Sequence, residues 1–89
     1  MARRERSKGF GARLRLVRNQ LGCKTQLEFS RRAGVSYQTY RQWEAFDAAP
    51  SAATLIRAIQ HLGVAEPERL LFWVATGEGP GPSWLELSA

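Results

Sequence analysis

The chain has few of the residues that would build a metal site, a disulfide or a membrane span. Its 89 residues include one cysteine, Cys23, and one histidine, His61, too few for an internal disulfide or a clustered metal site. No run of about 18 apolar residues occurs, so we expect no membrane-spanning helix. The basic first residues are not followed by the apolar stretch of a secretory signal. These absences favour a cytoplasmic protein with no metal and no cofactor.

Strand patterns are also lacking, because apolar residues recur at helical rather than alternating spacing. The first helix is defined by Phe10, Leu14, Val17 and Leu21 and ends at Gly22. Ser51 is placed to cap the fourth helix, and Pro67 suits the first turn of the fifth. The inner residues of these two helices are expected to be Ala52, Leu55, Ile59 and Leu62, followed by some of Leu70, Leu71, Trp73 and Val74. We therefore predict an all-α fold, a compact bundle of five helices.

Residues 25–44 predict two short helices joined by a tight turn. Thr25 and Glu28 are spaced as a capping box, in which each side chain satisfies a backbone N–H group at a helix start. Gly34 can adopt the left-handed conformation that ends this helix, and Ser36 can cap the next one. That next helix, about 37–44, presents polar side chains on one face, namely Tyr37, Gln38, Arg41 and Gln42. A helix-turn-helix with such a face is suited to reading base edges in a major groove.

Charge is divided unequally along the chain. Residues 1–43 contain eleven basic and two acidic side chains, whereas residues 44–89 contain two basic and six acidic ones. The basic half is therefore the half that carries the helix-turn-helix. A cationic face of this kind attracts a polyanion such as nucleic acid, although a solvated basic surface has the same composition. The acidic half offers a surface to a protein partner.

We divide the chain into three parts. Residues 1–9 are predicted to be a flexible basic arm, because they have no periodic apolar pattern. Residues 10–79 should form the helix-turn-helix domain. Residues 80–89 form a short tail after a break rich in glycine and proline. Its large apolar side chains are Trp84, Leu85 and Leu87. Three states of this tail stay open: disorder, folding back on its own bundle, and contact with a second subunit.

These segments, in this order and spacing, resemble the Xre-type, or lambda-repressor/Cro-like, helix-turn-helix proteins. The resemblance covers about residues 10–79 and includes FGARLRLVRNQLG, TQLEFSRRAGVS, QWE, PSAATLIRAIQHLGV and a closing TGEG. It implies a five-helix bundle whose third helix enters the major groove. The chain departs from the family pattern at Tyr40, where a branched aliphatic residue is usual. It also departs at Ala45 and Phe46, where glycine often ends the third helix.

The resemblance also implies roles for individual residues. The base-reading positions are Tyr37, Gln38, Thr39, Arg41 and Gln42. An amide such as that of Gln38 suits adenine, and the guanidinium of Arg41 suits guanine or a phosphate. Gln26 would contact a phosphate, and Arg18 and Glu44 would form a buried ion pair. Further candidates for phosphate contacts are Lys24, Ser36, Arg31, Arg32, Arg3, Arg4, Arg6 and Lys8. Candidates for a dimer contact are Trp84, Leu85, Leu87, Leu71 and Phe72.

The expected function is sequence-specific binding of double-stranded DNA by a small phage or bacterial transcription regulator. We expect a repressor that binds an inverted repeat as a homodimer, because one reading helix contacts too few bases for useful specificity. Two alternatives stay open: an antitoxin-type module whose main partner is a protein, and a scaffold that no longer reads sequence. We expect no enzyme activity, because Ser30 and Ser36 have no histidine nearby to activate them. No small-molecule ligand is expected.

Overall fold

Five helices follow one another in the computed structural model. They are α1 (Phe10–Gln20), α2 (Gln26–Ala33), α3 (Tyr37–Phe46), α4 (Ala52–Leu62) and α5 (Pro67–Thr76). The structure describes residues 9–46 and 49–85, and these two ranges contain no strand. The predicted all-α, five-helix fold is therefore confirmed. Five predicted site residues lie outside the described ranges, namely Arg3, Arg4, Arg6, Lys8 and Leu87.

The helices form a closed ring of packed pairs around one core. α1 packs against α3 and α5, α2 packs against α3 and α4, and α4 packs against α5. Each helix thus has two principal neighbours and turns an apolar face towards the centre. The largest fully buried apolar side chains come from four different helices, and they are Tyr40, Phe29, Leu70, Val17 and Val74. One core therefore fixes where α2 and α3 lie relative to the rest of the bundle.

Two details of the predicted helices are wrong. Helix α3 continues through Ala45 and Phe46, beyond its predicted end at about residue 44. Alanine favours helix, and no glycine or proline occurs before Pro50, so nothing in the sequence ends the helix at Glu44. In α4, Ala52 is exposed because it is the first helical residue. Its expected place in the core is taken by a stripe formed by Leu55, Ala58, Ile59 and Leu62.

The segment after α5 folds back on the bundle. Both carboxylate oxygens of Glu66 accept hydrogen bonds from Ser83, from its backbone N–H at 2.8 Å and from its hydroxyl at 2.6 Å. Trp84 Nε1 donates to the Ala65 carbonyl at 2.8 Å, and Leu85 is only 7% exposed within the core. A Cβ atom on Gly81 would stand 3.4 Å from the Trp73 ring, so the chain crosses this ring closely. Residues 80–85 therefore belong to the same packed unit as the helices.

None of the helices in the described ranges is long and apolar enough to cross a bilayer.

Candidate nucleic-acid interface

The turn between α2 and α3 has the local geometry that its residue types predict. Thr25 accepts a hydrogen bond from the backbone N–H of Glu28, and the Glu28 carboxylate accepts one from the backbone N–H of Thr25. Gly34 ends α2 with a φ of 73°, and a Cβ atom there would lie 3.0 Å from the His61 ring. The Ser36 hydroxyl then accepts from the Thr39 N–H at 3.1 Å and caps α3. The two helices are thus joined by three residues, Gly34, Val35 and Ser36, which leave little slack.

Helix α3 has one solvent-facing side that is polar. Gln38, Arg41 and Gln42 are exposed, Tyr37 is 45% exposed, and Thr39 is half-buried. The Arg41 guanidinium lies over the Tyr37 ring, 5.6 Å from its centroid. The structure thus brings all five predicted base-reading residues onto one helix, four of them well exposed. Phe46, which lies beyond the predicted end of this helix, extends it and is 70% exposed.

The opposite side of α3 is anchored in the core by aromatic rings. Tyr40 has no exposed surface and its ring packs 4.9 Å from that of Phe29 on α2, measured between centroids. Trp43 is 7% exposed and makes edge-on contacts with Tyr40 and with Phe10 on α1. A tyrosine therefore fits at the position where the family resemblance predicts a branched aliphatic residue. Its hydroxyl group needs a buried partner, and Glu44 provides it.

Glu44 is the centre of a hydrogen-bonded cluster that joins the first three helices. Its side chain is 2% exposed, and its Oε2 accepts from Arg18 Nε at 2.9 Å and from the Tyr40 hydroxyl. Its Oε1 accepts from Gln26 Nε2 at 2.9 Å, with Arg15 Nε at 3.6 Å. The cluster therefore ties α1 and the first residue of α2 to α3. The ion pair implied by the family resemblance is present in the structure.

The protonation states in this cluster follow from burial and hydrogen bonding. Burial opposes the charge of Glu44, but hydrogen bonds from Arg18, Tyr40 and Gln26 outweigh it and hold the pKa of the carboxyl below its ordinary value. Burial, and then the hydrogen bond to Glu44, raises the pKa of the Tyr40 phenol. Burial would lower the pKa of Arg18, but the hydrogen bond to Glu44 reverses this effect. At neutral pH the cluster holds a carboxylate, a guanidinium and a phenol that donates.

The predicted phosphate-contact residues around α2 have different surroundings. Gln26 uses one amide hydrogen on Glu44, so the side chain is held in place at the start of α2. Lys24 is exposed beside it, with its carbonyl accepting from Arg18 Nη1 at 3.4 Å. The Ser36 hydroxyl is engaged with Thr39 as a helix cap. Gln26 and Lys24 thus lie together, and Ser36 serves the geometry of the turn.

Arg31 and Arg32 lie at the other end of α2 from Gln26. Both side chains are exposed, and Arg32 Nε donates to the Leu62 carbonyl at the end of α4, at 3.4 Å. This hydrogen bond joins the last turns of two packed helices. Arg32 therefore has a structural contact that sequence reasoning did not foresee, because its partner is thirty residues away.

Two of the predicted dimer-contact residues are covered by their own chain, as in the fold-back alternative for the tail. Leu85 is buried, and Trp84 is half-buried and bonded to the Ala65 carbonyl. Leu71 on α5 is also half-buried against the core, whereas Phe72 is 53% exposed. Phe72 lies in an open groove of about 450 Å³ whose other lining residues are Glu68, Arg69, Glu78, Gly79 and Pro80. Among the dimer-contact candidates that lie in the described residues, only Phe72 presents a large apolar surface.

Arg15 is the residue near this interface that sequence reasoning missed. Its side chain is 55% exposed beside Glu44 and Gln26. The available signal was its spacing, because Arg15 and Arg18 are three residues apart and so share one side of α1. Among the described residues, no group of three or more potential metal-ligating side chains comes together.

Comparison with known proteins supports this description of the fold and the turn. A family model for the helix-turn-helix matches residues 14–68, which is more than half of the chain and runs from α1 into α5. No curated protein and no solved structure is significantly similar to the sequence.

Proposed function

The chain belongs to the Xre-type, lambda-repressor-like helix-turn-helix family and is a DNA-binding regulator, and we propose on this premise that it reads a specific duplex sequence. It would act as a homodimer on an inverted repeat, with α3 of each subunit in the major groove. Binding at a promoter would exclude polymerase, so the expected effect is repression. The protein would act in the cytoplasm, where bacterial DNA lies.

The observation that carries the proposal is the exposed polar face of α3. The opposite face of the helix is buried in the core, which holds α3 in one orientation. Gln38 and Gln42 are exposed and one helical turn apart, a spacing that lets two amides contact neighbouring base pairs. The Arg41 guanidinium lies over the Tyr37 ring, and this contact holds it near the same face. A helix that is held in one orientation, with amide and guanidinium groups on its exposed face, suits hydrogen bonding to base edges. A surface helix that contacts only solvent does not need its orientation to be held in this way.

Phosphate contacts would set the register of α3 in the groove. Gln26 and Lys24 lie together at the start of α2, where the helix dipole also favours an anion. The amide of Gln26 keeps a second hydrogen for a phosphate oxygen while the first is bonded to Glu44. Arg31 could add a long-range attraction. Arg32 is the weaker candidate, because its guanidinium is used at the end of α4.

The dimer contact is best sought on α5. Trp84 and Leu85 are occupied within their own chain, which leaves Phe72 and the neighbouring Leu71 among the described candidates. A protein partner other than a second copy would use the same exposed phenylalanine, with Glu68 and Glu78 beside it. The two possibilities differ in whether the pure protein dimerises on its own.

Selection from a pool of random duplex DNA tests the proposal. We expect enrichment of one sequence with two inverted half-sites, and binding that is tighter than to a random duplex by about 10³-fold or more at physiological salt. An enriched single half-site would keep DNA reading but remove the homodimer. The absence of any enrichment, with binding that depends only on salt, would instead favour a scaffold that does not read sequence.

A further inference from the structure

Arg15 is an exposed arginine beside a carboxylate that already has its hydrogen bonds. Its Nε lies 3.6 Å from Glu44 Oε1, whereas Arg18 Nε lies 2.9 Å from Oε2. The side chain of Arg15 is 55% exposed and that of Arg18 is 12% exposed. Glu44 also accepts hydrogen bonds from Tyr40 and Gln26. The carboxylate is therefore satisfied without Arg15, and most of the Arg15 side chain faces solvent.

The charges at this point do not balance. One carboxylate, Glu44, faces two guanidinium groups, so the cluster carries a net positive charge at the surface position of Arg15. Lys24 adds another exposed cation and Glu28 another carboxylate, which accepts from the backbone N–H groups of Lys24 and Thr25, so the surplus of one positive charge remains. A structural ion pair needs only one of the two arginines. The second arginine is a surplus charge that an external anion can neutralise.

The position of this charge is set by the cluster itself. Arg15 Nε and Gln26 Nε2 approach the same oxygen, Glu44 Oε1, at 3.6 and 2.9 Å. One donor comes from α1 and the other from the start of α2, so both side chains border the same carboxylate oxygen. A guanidinium presents a planar set of N–H donors that matches the oxygens of a phosphate in a bidentate manner.

We propose that Arg15 is a phosphate-binding residue through which α1 contacts the DNA backbone beside Gln26. The proposal rests on the proposed DNA-binding function and adds to it a contact from a helix that reads no bases. Because Arg15 also approaches Glu44, the contact would be aligned with α3 through the same carboxylate. Arg15 would thus contribute affinity and its salt dependence rather than sequence preference.

The test compares Arg15→Ala with a control, Arg57→Ala. Arg57 is an exposed arginine on α4 for which no contact with DNA or with a second subunit is proposed. The probe is a random-sequence duplex of about two helical turns, titrated at several salt concentrations. One lost phosphate contact should flatten the plot of log affinity against log salt by about 0.9 in Arg15→Ala. Arg57→Ala should keep the wild-type slope, and Arg15→Lys should keep most of it, because the charge remains.

Thermal unfolding separates a binding role from a structural one. We expect Arg15→Ala to melt within a few degrees of the wild type, since Glu44 keeps Arg18, Tyr40 and Gln26. A wild-type salt slope in Arg15→Ala would overturn the proposal for Arg15 while leaving DNA binding intact. A large fall in melting temperature would also overturn it, by assigning Arg15 to the support of Glu44. If the wild-type protein binds no duplex, both the proposed function and this contact are wrong.

Discussion

Replacing Arg18 with alanine should destabilise the bundle far more than removing an ordinary surface arginine. The Arg18 guanidinium donates to Glu44 Oε2 at 2.9 Å, and the two side chains are 12% and 2% exposed. The variant leaves a buried carboxylate that has Tyr40 and Gln26 as donors but no closely held cation. An uncompensated buried charge is among the few single changes that cost several kcal/mol.

The size of the effect follows from what remains around Glu44. Breaking a buried ion pair by removing one partner costs about 3–5 kcal/mol. The two remaining hydrogen bonds and the nearby Arg15, at 3.6 Å, place the expected loss at the lower end. A loss of about 3 kcal/mol corresponds to a fall of about 12–24 °C in the melting temperature of a domain this small.

Urea unfolding followed by far-ultraviolet circular dichroism measures the loss. Arg57→Ala, at an exposed position of α4, is the control and should change the free energy of unfolding by less than about 0.5 kcal/mol. The double variant with Glu44→Gln should lose less than the two single variants together, because the pair is broken only once. A loss below about 1 kcal/mol in Arg18→Ala would refute the reasoning, since surface ion pairs already reach that size.

The loss of stability in Arg18→Ala should also depend on pH, in the direction that the pKa of Glu44 sets. The pKa of Glu44 is lowered in the folded protein, so its contribution to stability is fully present above about pH 4.3, the ordinary pKa of a glutamate. That contribution is lost as the pH falls through the lower folded-state pKa. The difference in stability between the wild type and Arg18→Ala should therefore narrow in acid. A constant difference between neutral pH and pH 3 would contradict the assignment.

Two further predictions concern the ends of the chain. Leu85→Ala should lower the free energy of unfolding by about 2 kcal/mol, because the side chain is buried in the core, and light scattering should find the same oligomeric state as in the wild type; unchanged stability with a lost dimer would return this residue to the subunit interface. Deleting residues 1–8, which carry four basic side chains and one acidic one, should flatten the dependence of DNA affinity on salt by roughly one unit per lost phosphate contact; an unchanged slope would exclude the arm from the interface.

The helix-turn-helix could be predicted from the sequence because its signals are local. A capping box needs a threonine and a glutamate three residues apart, and the turn needs a residue that tolerates the left-handed conformation. Thr25, Glu28 and Gly34 satisfy these conditions by residue type and spacing alone. The capping role of Ser36 is equally local, since its partner is Thr39.

The features that sequence reasoning missed or left open depend on distant partners or on small energy differences. The tail segment is held by hydrogen bonds from Ser83 to Glu66 and from Trp84 to Ala65, whose partners are 17 and 19 residues apart in the chain. No local sequence pattern encodes that pairing. The contact of Gln26 and Arg15 with one oxygen of Glu44 likewise requires three helices to pack first. The end of α3 was predicted too early, because no strong helix breaker between Glu44 and Pro50 marks where the helix stops.

The central claim is that α3 reads base edges, and Gln38 is the residue to measure. The measurement is the affinity of the wild type and of Gln38→Ala for the selected duplex and for a random duplex, at one salt concentration. We predict that Gln38→Ala loses about 1–3 kcal/mol on the selected duplex and little on the random one, because an exposed amide on the groove-facing side contacts bases. Equal losses on both duplexes, or no loss on either, would contradict the account.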